Sequence, residues 1–258
     1  MNNPINLMPN LFVQLNNTAK RKPLSAIVQQ LLDQPVEFFQ SAQSTEKPLT
    51  YASLTLDESG SMNSHRKAAL AGYNSQVEII REGAKAAGDT RVSFLKFSNN
   101  VQPVLVARPA EELVPLQADE YTPSGGTALY DAIGLAIEQL LEQPGIHAPT
   151  TAVLVSVFTD GAENSSVCYT GEILKQLISR LEATGRWTFT LMGPEGSSLE
   201  LANVLNISAG NVAMFNPASQ ESTQEAFGTM AGATSSYMAM RSKGMTASAT
   251  LYADLDPK

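Results

Sequence analysis

Cysteine and histidine are scarce in this chain of 258 residues, which has one cysteine, Cys168, and two histidines. A single cysteine excludes an internal disulfide, and so few Cys and His residues speak against a zinc cluster. Basic residues are also few, with 17 Lys and Arg against 25 Asp and Glu, which gives a net charge of −8. Because phosphate groups bind to basic faces, we expect neither nucleic acid nor an anionic membrane as the partner.

Long apolar runs are lacking as well. No stretch of the sequence approaches the roughly 18 apolar residues that a membrane-spanning helix requires. The first residues, Met-Asn-Asn-Pro-Ile-Asn, do not show the basic region and apolar stretch of a signal peptide. We therefore expect a cytoplasmic protein. Hydrophobic residues make up 43% of the chain, which is typical of a globular protein with a sizeable core.

Strand and helix patterns alternate from residue 49 onward. Residues 51–56 read as a buried strand, and residues 63–87 place Tyr73, Val77 and Ile80 on one helical face. The segments 91–97 and 101–107 predict a hairpin, and hence an antiparallel edge strand. Further predicted elements are helix 127–141, strand 151–158, helix 171–183, strand 187–192, helix 197–206, strand 212–215 and helix 222–240. This order predicts an α/β fold: a doubly wound, mainly parallel sheet with helices on both faces.

Three regions follow from these patterns. Residues 1–48 are rich in Asn, Gln and Pro and form an N-terminal extension, with a helix predicted over 25–32, that we expect to pack on the core. Residues 49–241 form the α/β domain. Residues 242–258 form a C-terminal tail to which the sequence assigns no element.

Five oxygen-bearing side chains follow the predicted strands or open a helix. Asp57, Ser59 and Ser61 follow the first strand, Thr127 opens the helix over 127–141, and Asp160 follows strand 151–158. Ligands of parallel sheets bind at the carboxyl ends of the strands, so these side chains should meet at one edge. Hydroxyl and carboxylate oxygens suit Mg²⁺ or Mn²⁺, which accept the same octahedral arrangement, and suit zinc poorly.

Each of these residues also has a structural interpretation. Hydroxyl groups at helix starts, such as those of Ser61 and Thr127, often cap free backbone N–H groups. For each residue taken singly, a structural role is favoured. The alignment of all five residues with the correct strands and helices favours ion binding instead. Two neighbouring acids, Glu58 and Glu163, are near enough in sequence to reach an ion, but we expect both to be exposed loop residues. We expect His65 to be a solvated residue of the first long helix.

The pattern Asp-x-Ser-x-Ser, then a Thr, then an Asp resembles the metal-ion-dependent adhesion site of von Willebrand factor type A domains. The resemblance covers residues 49–241; all five motif positions match, and the remainder agrees in pattern only. It implies that Ser59, Ser61 and Thr127 bind Mg²⁺ directly, while Asp57 and Asp160 act through water or as hydrogen-bond anchors. It also implies an open position on the ion that a partner protein fills with an Asp or Glu carboxylate. Intracellular relatives often work beside AAA+ ATPases or in multi-protein assemblies, so the resemblance implies a partner of that kind.

The sequence therefore predicts a non-enzymatic, divalent-metal-dependent module for adhesion or assembly. One alternative is a metal-dependent phosphohydrolase. However, Asp57-Glu58-Ser59 lacks the second Asp of the Asp-x-Asp phosphatase motif. The Gly126-Thr127 turn also lacks the Lys that follows in a phosphate-binding loop. Another alternative is a structural component of a larger particle.

Overall fold

A computed structural model describes residues 22–34 and 48–252 of the chain. The strands are β1 (Leu49–Asp57), β2 (Asp89–Phe97), β3 (Val101–Pro109), β4 (Thr151–Phe158), β5 (Trp187–Pro194) and β6 (Val212–Phe215). The helices are α1 (Ala26–Asp33), α2 (Arg66–Ala87), α3 (Leu129–Leu141), α4 (Gly171–Ala183), α5 (Ser198–Leu205) and α6 (Gln220–Ser242). Short 3₁₀ turns cover Gly60–Ser64, Ala110–Glu112 and Ala209–Asn211.

The six strands form one sheet in the order β3-β2-β1-β4-β5-β6. All neighbouring pairs are parallel except β2 and β3, which are antiparallel, so β3 is the antiparallel edge. The predicted fold class is thus confirmed. From β1 the chain crosses to β2 on one side and later returns to β4 on the other, which makes the β1–β4 boundary the topological switch point where ligands bind in such sheets.

Helices cover both faces of the sheet and divide the core in two. On one face, α2 and α6 pack against each other and bury apolar side chains of both helices, including Tyr73, Ile80, Phe227 and Tyr237. On the other face, α1, α3, α4 and α5 bury a second apolar cluster. Because β4 is covered on both faces, all of its residues are buried, which explains its continuous run of apolar residues.

The regions flanking the domain also contribute to the packing. Helix α1 contacts α3 and α4 and buries Val28 and Leu31. The rest of the predicted extension, residues 1–21 and 35–47, lies outside the described residues. At the other end, Leu251 and Tyr252 are buried in the cluster under α6, and the Tyr252 amide donates to the Gly210 carbonyl at 2.8 Å.

The start of α2 differs from the prediction. The pattern predicts a helix from residue 63, but the helix begins at Arg66 and a 3₁₀ turn precedes it. In that turn the Met62 amide donates to the Ser59 carbonyl at 3.1 Å, and the His65 amide donates to the Met62 carbonyl at 3.0 Å. These tighter bonds bend the chain sharply just after β1. Within the described part of the chain, none of the helices has the length and apolar character to cross a bilayer.

Candidate metal centre

Asp57 is the last residue of β1, and its side chain has no exposed surface. One carboxylate oxygen, Oδ1, accepts the Ser59 amide at 2.7 Å, and Oδ2 accepts the Thr159 hydroxyl at 2.6 Å. The backbone carbonyl of Asp57 accepts the Tyr121 hydroxyl at 2.6 Å. These three bonds hold the carboxylate at the carboxyl end of the strand and fix the turn that follows it.

The two serines and the second aspartate meet across neighbouring strands. The hydroxyl oxygens of Ser59 and Ser61 lie 3.1 Å apart. The Ser61 hydroxyl donates to Asp160 Oδ1 at 2.6 Å, although the two residues are 99 positions apart in the chain. Because β1 and β4 are parallel neighbours, the loops that leave their carboxyl ends begin side by side. The structure therefore brings Asp57, Ser59, Ser61 and Asp160 together.

Thr127 reaches the same cleft from the loop before α3. A Cβ atom on Gly161 would lie 3.0 Å from Thr127 Oγ1 and 3.5 Å from Ser61 Oγ, so both hydroxyls border the space beside this glycine. The Thr127 backbone is held on both sides by Asn164, whose Oδ1 accepts the Thr127 amide at 2.8 Å and whose amide donates to the Thr127 carbonyl at 3.1 Å. The loop that carries Asp160 thus also positions Thr127.

Helix capping does not account for the hydroxyls of Ser61 and Thr127. The residue before α3 is Ala128, and the residue before α2 is His65; neither supplies a side-chain capping bond. The Ser61 hydroxyl instead donates to the carboxylate of Asp160 in the loop after β4. The arrangement favours a role at the cleft over a role at a helix end.

A glycine-rich loop closes one side of the cleft. The Gly60 amide donates to the Gly125 carbonyl at 3.0 Å, which joins the first loop to the second. Gly125 has a φ of 78°, a left-handed conformation that a residue with a side chain rarely adopts. The Gly126 amide donates to Asn99 Oδ1 at 2.7 Å. Asn99 and Asn164 therefore anchor the loop that ends at Thr127, and the motif pattern did not identify either of them.

Burial raises the pKa of both aspartates. For Asp57 the pKa rises from 3.8 to about 6, mainly because burial disfavours the charged form, while hydrogen bonds from Ser59 and Thr159 oppose the rise. Burial also raises the pKa of Asp160, against a hydrogen bond from Ser61. A cation at the cleft would oppose both shifts, because a nearby positive charge favours the ionised carboxylate.

His65 is buried, so the expectation of a solvated residue is wrong. Its ring is 4% exposed and packs edge-on against Phe215 with the ring centres 5.3 Å apart. The Nδ1 atom lies 3.1 Å from the Thr223 hydroxyl, and Nε2 lies 4.0 Å from Asp160 Oδ2. His65 therefore borders the cleft. The one feature of the sequence that could have indicated this is its position shortly after Ser61 in the chain.

The two loop acids are anchors, so the expectation of exposed residues is also wrong. Glu58 is 13% exposed, pairs with Lys96 at 3.1 Å and accepts the Thr122 amide at 2.7 Å. Glu163 accepts backbone amides from the start of α3 and from its own loop, at Tyr130, Ser165 and Ser166. Both carboxylates are engaged in holding the loops that surround the cleft.

Comparison with known proteins gives matches in structure only. No family model matches the chain, and no curated protein matches it in sequence. Among the solved structures that share the fold is a von Willebrand factor type A protein from Catenulispora acidiphila, with 17% identity and a TM-score of 0.50. Two others are the vWF domain of the type V pili tip protein Mfa5 from Porphyromonas gingivalis (11%, 0.51) and the pilus adhesin SpaC from Lactobacillus rhamnosus GG in its open conformation (13%, 0.53). At these identities the likeness shows the von Willebrand factor type A fold.

The aligned regions cover 73%, 72% and 76% of this chain, respectively. They cover 43% of the Catenulispora protein, 95% of the Mfa5 domain and 31% of SpaC. The chain therefore spans less than half of two of these proteins and nearly all of the isolated domain.

The expectation of a cytoplasmic protein is contradicted by these comparisons. It rested on the lack of a signal-peptide pattern and of long apolar runs, whereas two of the structures compared above come from a pilus tip protein and a pilus adhesin. Pili are structures of the cell surface, so the similar proteins point away from the cytoplasm.

Proposed function

We propose that this chain is a divalent-metal-dependent module for adhesion or assembly, in which Asp57, Ser59, Ser61, Thr127 and Asp160 form the metal site. The observation that carries the proposal is the Ser61–Asp160 hydrogen bond of 2.6 Å, which joins the two loops that hold four of the five residues. The ion is Mg²⁺, with Mn²⁺ as a substitute of the same coordination preference. Its ligand is a carboxylate from an Asp or Glu of a partner protein.

The residues of the cleft fit such an ion. Their side chains offer hydroxyl and carboxylate oxygens, the donors that Mg²⁺ prefers. Within the described ranges there is no group of three or more His, Cys, Asp or Glu side chains that could hold a metal, so a site here depends on hydroxyls. Gly161 leaves free the space between the hydroxyls of Thr127 and Ser61 that a Cβ would fill.

Ser59, Ser61 and Thr127 would hold the ion directly, and Asp57 and Asp160 would act from behind them. Asp160 accepts a hydrogen bond from the Ser61 hydroxyl, which leaves the oxygen lone pairs of Ser61 free for a cation. Asp57 orients the Ser59 turn through its bond to the Ser59 amide. When bound, the metal supplies an electrophilic centre. Because the hydroxyl ligands are neutral, they leave most of its positive charge unbalanced, which suits recognition of a carboxylate.

The phosphohydrolase alternative receives less support from the surroundings of the cleft. A phosphoryl-transfer site needs cationic groups directed at the reacting phosphate. The Arg66 guanidinium donates instead to the carbonyls of Tyr121 and Ala118, and Lys96 donates to Glu58 and to the Glu120 carbonyl. Both cations therefore serve loop structure.

The same comparisons that corrected the location support a protein as the partner. The similar pilus tip protein and pilus adhesin support adhesion or multi-protein assembly. An AAA+ ATPase is not part of the proposal, because that expectation depended on a cytoplasmic location.

Calorimetric titration of Mg²⁺ and Mn²⁺ into the protein tests the metal site. Wild type should bind either ion, and Ser61→Ala should bind it much more weakly because a donor is lost. Ser64→Ala is the matched control, since the Ser64 hydroxyl lies in the same turn but donates to the Ser61 carbonyl at 3.0 Å. Equal affinity in all three proteins would overturn the assignment.

A pull-down with wild type and Asp57→Ala, each with Mg²⁺ and with EDTA, tests the module itself. A partner retained by wild type with Mg²⁺ and lost in the other three conditions is the expected result. The same partners in all four conditions would mean that the function lies on another face of the domain.

A further inference from the structure

A cavity of about 310 Å³ adjoins the turn that carries Ser59 and Ser61, because the side chain of Asn63 in its lining donates to the Gly60 carbonyl at 3.0 Å. Asn63 and Ser64 line it, two and three residues after Ser61, and the first turn of α2 and Ala118 form its walls. Pockets for small ligands begin at about this size, roughly 300 Å³. The cavity is therefore large enough for a side chain of a partner segment whose neighbouring residue lies at the metal centre.

The charge of this cavity is opposite to the charge of the protein. Arg66 and Lys67 line it, and no Asp or Glu of residues 22–34 and 48–252 does, although the chain as a whole has a net charge of −8. Two acids directly follow lining residues in the chain, Asp119 after Ala118 and Glu221 after Gln220; both are exposed and neither lines the cavity. Glu120 turns back to accept the Gln117 amide at 2.7 Å. The cavity is thus a local cationic region on an acidic protein.

Both positive charges lack a counter-ion within the described part of the chain. Arg66 donates only to backbone carbonyls, those of Tyr121 and Ala118, which fixes its guanidinium but leaves its charge unbalanced. Lys67 is exposed and forms no ion pair with a described residue. Acids rather than bases are stabilising in the first turn of a helix, and α2 has none there. The charges of both cations are therefore uncompensated by a described acid, and an incoming anion would balance them.

We propose that the cavity lined by Arg66 and Lys67 is a second subsite of the partner-binding surface, and that it binds a second acidic side chain of the same partner segment. This inference rests on the proposed function, in which a first carboxylate binds at the metal centre. The partner segment then carries two acidic residues, one for the ion and one for the cavity. Lys67 is the residue that selects for the second, because its side chain is exposed and free to pair.

The subsite adds selectivity that a metal ion alone does not give. Any exposed carboxylate can approach a cation, but a second charge contact fixes the direction of the segment and favours one partner over others. An exposed ion pair contributes a few-fold in affinity, and reversal of the charge turns attraction into repulsion. We therefore expect Lys67→Glu to weaken binding of a doubly acidic peptide roughly three- to tenfold.

Selection of random dodecapeptides on the immobilised full chain in millimolar Mg²⁺ supplies the probes. The enriched peptides are then synthesised, and their affinity is measured for wild type, Lys67→Glu and Lys175→Glu, each with Mg²⁺ and with EDTA. Lys175 is the matched control, since it is an exposed lysine on α4, outside the cavity. We expect enriched peptides with two acidic residues, weaker binding to Lys67→Glu, unchanged binding to Lys175→Glu and no binding in EDTA.

The outcomes separate this inference from the proposed function. Peptides that need Mg²⁺ but carry one acidic residue, or bind wild type and Lys67→Glu equally, overturn the second subsite and leave the metal-dependent module intact. Enriched peptides that all bind equally well in EDTA, or a selection that yields no Mg²⁺-dependent peptide, contradict the module and the subsite together.

Discussion

Replacement of Asp57 by Asn separates the cost of a buried charge from its role in metal binding. Asp57 is fully buried, and burial raises its pKa from 3.8 to about 6. A carboxyl group whose pKa is higher in the folded state favours folding when protonated, so its contribution is present below pH 3.8 and is lost as the pH rises through about 6. At neutral pH without metal, the ionised group therefore costs up to about 3 kcal/mol, at 1.36 kcal/mol for each pKa unit.

Asp57→Asn keeps the shape of the side chain and removes the charge. The amide oxygen can still accept the Ser59 amide, and the Thr159 hydroxyl can rotate to accept from the new NH₂ group. Without metal we expect the variant to be more stable than wild type by about 1–3 kcal/mol, which for a domain of this size raises the Tm by roughly 2–10 °C. Mg²⁺ at ten times its Kd should stabilise wild type by about 1.4 kcal/mol and leave the variant unchanged.

Thermal unfolding at neutral pH, with Mg²⁺ and with EDTA, measures both effects. Asp119→Asn is the matched control, because Asp119 is exposed and its replacement should change neither value. A metal-free Asp57→Asn protein that is less stable than metal-free wild type would refute the reasoning about the buried charge. A Mg²⁺-induced Tm shift of equal size in the variant would refute the role of Asp57 in the metal site.

Three further predictions concern the pH dependence of metal binding and two glycines, Gly161 in the cleft and Gly72 on α2. Mg²⁺ affinity should fall as the pH drops below about 6, because protons compete for Asp57; calorimetric titration on either side of that pH measures it, and a constant affinity contradicts it. Gly161→Ala should lower Mg²⁺ affinity roughly tenfold with little change in Tm, since its Cβ would lie 3.0 Å from Thr127 Oγ1 in the cleft; titration and thermal unfolding test this. Gly72→Ala should destabilise the fold by about 1–3 kcal/mol in chemical denaturation, because its Cβ would lie 2.0 Å from a ring carbon of Phe227.

Gly228→Ala provides a common control for the two glycine substitutions. A Cβ at Gly228, on α6, meets no atom within 4 Å, so alanine should stabilise the helix by about 0.5–1 kcal/mol and leave metal affinity unchanged. A Gly72→Ala variant as stable as wild type would contradict the close packing of Gly72 on α2 against Phe227 on α6. If Gly161→Ala binds Mg²⁺ like wild type, the space beside Thr127 is not where the ion lies.

The elements that could be predicted are those whose signal is local. The predicted bounds of β4 and α4 agree with the structure, Thr151–Phe158 and Gly171–Ala183, because an apolar run and a helical period are properties of consecutive residues. The start of α2 was misplaced by three residues, because the 3₁₀ turn before it depends on hydrogen bonds that the period does not record. Assignment of the five motif residues as metal ligands stays a prediction.

The sequence by itself determined the order of strands and helices, the antiparallel edge, and the position of Asp57 and Asp160 after strands that end at one edge of the sheet. Only the tertiary structure decided which side chains close the cleft. His65 is buried against Phe215, Glu58 pairs with Lys96, and Gly161 leaves room beside Thr127. Each of these contacts joins residues that are dozens of positions apart or lie on different elements. Local periodicity carries no information about them, because they exist only once the sheet has brought its loops together.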